Sequence, residues 1–385
     1  MSTTLPDPLE DTDVADVILR LQSEGLRVGV STEGRRGGAG PSDVGMIWVE
    51  DFGLTLDTDP ARTEHSPFEL RADFADPEGG VAIYEHGRRV AGARTQGRPR
   101  FYDLATTEGV PYWKIALLHL DSLASTVLQT CAYWGNDDQC TFCGIGVTLE
   151  AGRTIAKKTP AQLAEVAVAA RDLDGAVDVT LTTGSTRAPD RGALYVAQCA
   201  HAVKEASGLP VEVQFEPPED LDVINRVHAL GADTVGIHIE TFDPAVLARV
   251  GPAKARTGIE RYFEAWERAV ALFGPGQVTT YVILGMGEDP DLTVEGCRRA
   301  IDLGVYPFIV PLRPVAGSLM ADWSPPDPAE VERIIRRVAP HLEGTGIGAG
   351  TAKAGCSRCN ACSPMAAVER RLQIGPKPVP SPARG

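Results

Sequence analysis

The sequence predicts an α/β protein. A parallel sheet of six strand–helix units follows a small α+β domain and precedes a short cysteine-rich extension. Three observations lead there. Between about 123 and 342, short β-branched runs alternate with helical periodicity, the pattern of a parallel sheet with helices outside. Residues 1–122 lack that rhythm and mix one helix with strand and hairpin signals. From 343 to 385 the chain turns glycine-rich, gathers three of its 8 cysteines between 356 and 362, and ends in a proline-rich tail.

In the first domain Val14, Val17, Ile18 and Leu21 make one helical stripe, with Gly25 as its stop. The loop Gly34-Arg35-Arg36-Gly37-Gly38-Ala39-Gly40-Pro41 can cradle an anion with backbone N–H groups. It lacks the Gly-Lys-Ser/Thr ending of a phosphate loop, so we read it as a surface loop. Met46-Ile47-Trp48-Val49 reads as a strand, and 81–84 with 89–91 as a hairpin around His86-Gly87. The later strands are expected at 127–129, 177–182, 211–215, 234–239, 278–284 and 308–312. Thr159-Pro160 starts a helix as N-cap and first residue, continued by Leu163, Val166, Ala167 and Ala170. Further helices are expected at about 192–206, 221–230, 260–273, 292–303 and 327–340. Such a sheet either curls into a partial barrel or opens as a doubly wound sheet. In both, functional residues gather at the carboxyl ends of the strands. The stretch from Gly375 to Pro382 reads as a disordered tail.

Lys and Arg number 37 against 52 Asp and Glu, a net charge of −15, which argues against a nucleic-acid footprint or an anionic membrane surface. Apolar content of 43% and charged content of 23% suit a soluble globular protein, and no apolar run reaches the length of a membrane span. The segment from Met1 to Asp16 lacks the basic start and apolar core of a signal peptide. We therefore expect a cytoplasmic protein, where clustered cysteines mean metal more often than disulfides.

Cys131, Cys140 and Cys143 lie in Cys131-Ala-Tyr133-Trp134-Gly135-Asn136-Asp137-Asp138-Gln-Cys140-Thr-Phe142-Cys143. Three close thiolates without a fourth can hold three irons of a [4Fe–4S] cluster and leave the last iron open. A structural zinc site is the alternative, which three thiolates with one long gap fit poorly. Tyr133 and Trp134 are placed to shield the cluster, and Asp137 and Asp138 read as a solvated turn. Cys199 and Cys297, alone in helical patterns, read as small buried hydrophobes.

At these cysteines the chain resembles the radical S-adenosylmethionine (radical SAM) superfamily. The common family spacing is C-x3-C-x2-C; here eight residues separate the first two cysteines, and the Gly135-Asn136-Asp137 turn can draw them together. Further segments resemble the family in order. Thr182-Thr183-Gly184-Ser185 stands where the family contacts the methionine amino group, here without its Glu. His238-Ile239-Glu240-Thr241 is similar to the Asn-Leu-Glu-Thr segment of lipoyl and biotin synthases. Ile283-Leu-Gly285-Met-Gly287-Glu288 matches most of Gly-x-Ile-x-Gly-x-x-Glu, with Tyr281 at its first glycine, and Leu312-Arg313-Pro-Val-Ala-Gly317-Ser318 resembles Leu-x-Pro-x-x-Gly-Thr. The look is closest to the biotin- and lipoyl-synthase-like branch, and to the radical SAM proteins of bacterial nitrilase-associated gene clusters.

The resemblance implies a partial (β/α)6 TIM-type barrel. It implies a [4Fe–4S] cluster on Cys131, Cys140 and Cys143, S-adenosyl-L-methionine (SAM) on its open iron, and hydrogen abstraction from a small-molecule substrate. An electron donor such as flavodoxin or ferredoxin is implied too. Phe142, Thr183, Gly184 and Ser185 are expected at the cofactor, with Glu240 on the ribose, Ile283 on adenine, Gly285 avoiding a clash, and Arg313 binding a substrate carboxylate. Cys356, Cys359 and Cys362 have a ferredoxin-like C-x2-C-x2-C spacing. They can hold an auxiliary iron–sulfur cluster that relays electrons, binds substrate or donates sulfur; a zinc knot is the alternative. Following the last barrel helix, this segment is expected to fold over the open end where substrate enters. Sulfur insertion and a non-catalytic iron–sulfur or zinc protein are the competing functions.

Overall fold

The computed structural model describes residues 13–28, 44–73 and 80–374. The Gly34 to Pro41 loop and the tail from Gly375 lie outside them. Among the described residues no helix is long and apolar enough to cross a membrane.

The described residues form two sheets. The first contains β1 (Arg27–Val28), β2 (Val44–Val49), β3 (Phe52–Asp57), β4 (Phe68–Ala72), β5 (Val81–Glu85) and β6 (Arg88–Thr95), in the order β1-β4-β5-β6-β2-β3. Its pairings are antiparallel except β1 with β4. Helix Val14–Glu24 is N-capped by Asp13 and followed by Gly25, as its sequence suggests. Its Val17, Ile18 and Leu21 join Ile47, Leu54, Leu70 and Ile83 in one core.

The second sheet contains β7 (Leu117–His119), β8 (Ser122–Thr126), β9 (Asp178–Thr182), β10 (Val211–Gln214), β11 (Thr234–Gly236), β12 (Val278–Leu284) and β13 (Val305–Pro311). The six strands from β8 to β13 are parallel and adjacent in chain order, with β7 antiparallel on the outer edge of β8. No pairing joins β13 back to β7, so the barrel is partial. Strand order without a reversal excludes the doubly wound alternative. Between β8 and β9 runs helix Pro160–Asp174, where Thr159 and Gln162 form a reciprocal capping box.

Three expectations shift. The barrel sheet starts at Leu117 rather than 123, and its first parallel strand is Ser122–Thr126, not 127–129. Beyond it the chain leaves the ladder, and Gln129 N–H bonds Ala156 O, to launch the cysteine loop. The fourth parallel strand stops at Gly236 instead of 239, because the Thr280 hydroxyl takes the Ile239 N–H in place of a ladder carbonyl.

The largest correction concerns the C-terminal extension. It closes the amino-terminal end of the barrel, opposite the expected face. Asp178, the first residue of β9, is fully buried and must be compensated. Arg358 reaches it at 2.7 Å, and also reaches Asp121, just before β8, at 2.6 Å. Gly355 N–H adds a 2.7 Å bond to Asp178. A Cβ at position 355 would stand 2.2 Å from the Glu212 carboxyl carbon, on a backbone at φ 91°, so only glycine lets the segment approach. The following helix, Met365–Leu372, docks onto the first sheet: Ala367 enters its core and Arg371 pairs with Asp13 at 2.9 Å.

Candidate active site

One cavity of about 480 Å³ runs through the barrel interior. Cys131, Cys140 and Cys143 line it at the carboxyl ends of the strands; Cys356, Cys359 and Cys362 line it from the other end.

The first cysteine loop is fixed by its backbone. Ala132 N–H bonds Ser185 O and Thr141 N–H bonds Val250 O, both at 2.8 Å. Gly135 takes a left-handed φ of 76°, Asn136 Oδ1 accepts from Asp138 N–H at 2.9 Å, and Asn136 Nδ2 donates to Ala132 O at 2.9 Å. This is the turn expected to fold the long gap back. Gly184 sits so near that a Cβ would stand 2.1 Å from Thr130 O. Gly184→Ala therefore forces the loop aside. We expect a loss of about 1–3 kcal/mol from overpacking, read as a lowered denaturation midpoint, with reduced iron uptake. An unaltered midpoint would show the loop yields freely.

Thr183, Gly184, Ser185, Phe142, Glu240 and Ile283 all line this cavity. Two of the expected contacts stand elsewhere. Gly285 is absent from the cavity wall; its side-chain position faces Pro326, at 2.9 Å from a would-be Cβ. Arg313 lines the cavity, but its guanidinium is engaged by the protein: it donates to Thr55 Oγ1 at 3.1 Å, to Gln22 Oε1 and to Cys362 O. Both Nη groups are thus taken by the protein, and only the buried Nε is left without a partner.

Several wall residues carried no sequence signal. Lys254, on the short helix Pro252–Thr257, donates to His238 O at 2.6 Å and Glu240 Oε1 at 3.2 Å. Its charge opposes the burial that pushes the Glu240 carboxyl up. Glu240 is held at φ 74°, a left-handed conformation that a non-glycine residue adopts at a cost, and one that clusters at functional sites. Tyr133 Oη donates to Glu216 Oε2 at 3.1 Å. Burial together with Lys254 pushes the His238 imidazole down to about 3, so it stays neutral. Lys254 and Glu216 are isolated in sequence, without period or motif, while His238 falls within the segment singled out for Glu240.

The donor set fits an iron–sulfur cluster. Burial raises the Cys131 and Cys140 thiols and lifts Cys143 to about 11, with Lys254 pulling all three back. Thiolates here need positive charge from a bound metal. Among the described residues no three His, Cys, Asp or Glu side chains are drawn together around a single metal ion.

The sequence pattern of the Radical SAM superfamily matches residues 135–301. Bacteriochlorophyllide c C-7(1)-hydroxylase of Chlorobaculum limnaeum is 32% identical over 121 residues, which span 31% of this chain and 30% of that protein. The match thus covers less than a third of the curated relative. Among solved structures, methylornithine synthase aligns over 74% of this chain and 83% of its own, at 16% identity and a TM-score of 0.46. A radical SAM methyltransferase from Sphaerobacter thermophilus aligns over 73% and 77%, at 15% identity and a TM-score of 0.45. Residues 135–301 thus form a radical SAM domain, the kind of domain carried by these enzymes.

Proposed function

We propose that this enzyme reductively cleaves SAM at a [4Fe–4S] cluster on Cys131, Cys140 and Cys143, and abstracts hydrogen from a small molecule inside the barrel. One observation carries the reading: the three cysteines share a single cavity with Thr183, Gly184, Ser185, Glu240 and Ile283. Cys131, Cys140 and Cys143 would hold the cluster, which would supply the electron for reductive cleavage of SAM and so the means of taking hydrogen from substrate. The chain's own residues position and insulate. Gly184 lets backbone approach the methionine end, Glu240 offers a buried acceptor to the ribose hydroxyls, and Ile283 gives adenine an apolar face. Phe215, Phe308 and Val310 line the interior and exclude water. A flavodoxin or ferredoxin supplies the electron. The hydroxylase relative acts at a carbon position, which agrees with hydrogen abstraction here. Placement in the biotin- and lipoyl-synthase-like branch is our reading of the Glu240-Thr241 and Arg313 segments. The test is 5′-deoxyadenosine formation by anaerobically reconstituted protein with dithionite; none formed would defeat the proposal.

Glu240→Gln tests the ribose contact. We expect SAM binding weaker by about 1–3 kcal/mol, roughly 5- to 150-fold in Kd, the cost of an acceptor lost among buried partners. Equilibrium dialysis measures it, and an unchanged Kd would make Glu240 a bystander.

We propose in addition that Cys356, Cys359 and Cys362 hold a second iron–sulfur cluster. The shared cavity supports this, because a substrate within it lies between the two triplets. The same feature favours sulfur insertion as the second reading. Counting sulfide before and after turnover separates the two: loss of sulfide marks a donor, and constancy marks a permanent centre. Elemental analysis giving zinc in place of iron at this triplet would remove both.

A further inference from the structure

Among the described residues, Thr55 of β3 is the one position before His119 that lines the barrel cavity. Its surroundings fix where its hydroxyl proton goes. Thr55 N–H donates to Ala361 O at 2.8 Å, and Gln22 Nε2 donates to the same oxygen at 3.0 Å. Both lone pairs of that carbonyl are then taken. Arg313 Nη1 donates into Thr55 Oγ1 at 3.1 Å, so the hydroxyl oxygen is the acceptor there and its proton must be given elsewhere. Two acceptors lie in reach: Ala361 O at 3.3 Å, already saturated, and Cys362 Sγ at 3.0 Å. The sulfur takes the proton, and a metal-bound thiolate, having no proton of its own, can only accept it. Thr55 is 1% exposed and Gln22 is 2% exposed, so both are withdrawn from bulk solvent.

We propose that Thr55, polarised by Arg313, is the hydrogen-bond donor to the Cys362 thiolate of the second metal centre, and that it sets that centre's redox potential. This rests on the second-cluster reading. A hydrogen bond to a cluster sulfur stabilises the reduced, more negative state and so raises the potential. Cys356 is supplied from the barrel itself, by Tyr281 Oη and Gln214 Nε2, each at 3.3 Å. The donor to Cys362 instead comes from the N-terminal sheet. The N-terminal domain, which the superfamily match leaves out, thereby becomes part of the far metal site: Thr55 of β3 and Gln22 of helix Val14–Glu24 together hold the Ala361-Cys362 peptide and the guanidinium beside it. Thr55 acts as a positioning and tuning residue, with no contact to the reacting carbon required of it.

The test uses the full chain carrying Cys131→Ala, Cys140→Ala and Cys143→Ala, so that the second centre alone holds iron. Metal content and an EPR-monitored redox titration are compared for this parent and for Thr55→Val, Thr55→Ala and Thr55→Ser added to it. We expect iron in the parent, a more negative midpoint potential with altered g-values in the valine and alanine forms, and recovery in the serine form. Loss of iron from the valine and alanine forms but not the serine form would equally support a required donor. Iron retained throughout with one unchanged potential and spectrum overturns the role of Thr55 and leaves the second cluster standing. A parent that holds zinc, or no iron, overturns the second-cluster reading and this inference with it.

Discussion

Replacing any one of Cys131, Cys140 or Cys143 by alanine is expected to abolish 5′-deoxyadenosine formation and to remove about four irons per chain. A three-thiolate cluster has no spare ligand, and the structure offers no substitute. Cys199 and Cys297 are fully buried in helices Ala193–Ser207 and Pro290–Leu303. The second triplet is held apart in the C-terminal segment, which Gly355 and Arg358 anchor at the start of β9. The fold should persist, since the loop is tied by Ala132 to Ser185 and by Thr141 to Val250 through backbone alone. Iron analysis, a cleavage assay and a denaturation curve together check this. Full cleavage activity in any of the three variants would remove the assignment.

The second large effect is on stability. Arg358→Met leaves the carboxylate of Asp178 without its cation in a fully buried position. Burial pushes that carboxyl up, and the guanidinium with the Gly355 N–H pulls it back. Removing one member of such a pair costs about 3–5 kcal/mol, because an uncompensated charge stays behind. We expect a loss of that size in denaturant unfolding, and partial recovery when Asp178→Asn is added, since no lone charge then remains. A loss under about 1 kcal/mol, the range of an exposed ion pair, would show that water reaches the pair.

The alternation from β9 to β13 was legible because buried parallel strands read as β-branched runs and their helices carry local start signals. Thr159-Pro160 is one such signal. Asp243-Pro244 is another of the same kind, capping helix Pro244–Val250, which the periodicity reading passed over. The first cysteine loop was legible because its ligands and its turn are neighbours in sequence. What was hidden is non-local. Arg358 lies 180 residues from Asp178 and 237 from Asp121, so nothing near it tells which barrel end it will seek. Arg313 carries a motif-like setting, yet its partners come from the N-terminal domain, Thr55 from β3 and Gln22 from helix Val14–Glu24. Lys254 meets Glu240 only through the turn between two short helices, where no period develops. β1 was missed because it is two residues long and pairs parallel to a strand beyond two others.

The position of the C-terminal segment bears on how the protein is made. The barrel is a vessel whose wall is synthesised before its floor. Until residues past 355 leave the ribosome, Asp178 and Glu212 face water at an open base, and the N-terminal domain waits with Thr55 and Gln22 without their Ala361 partner. Domains form in the order of synthesis, so the upper cysteine loop can be shaped while the base is still missing. The lower triplet cannot: its sulfurs, its salt-bridge anchor and the sheet that backs it come together in the final act of folding.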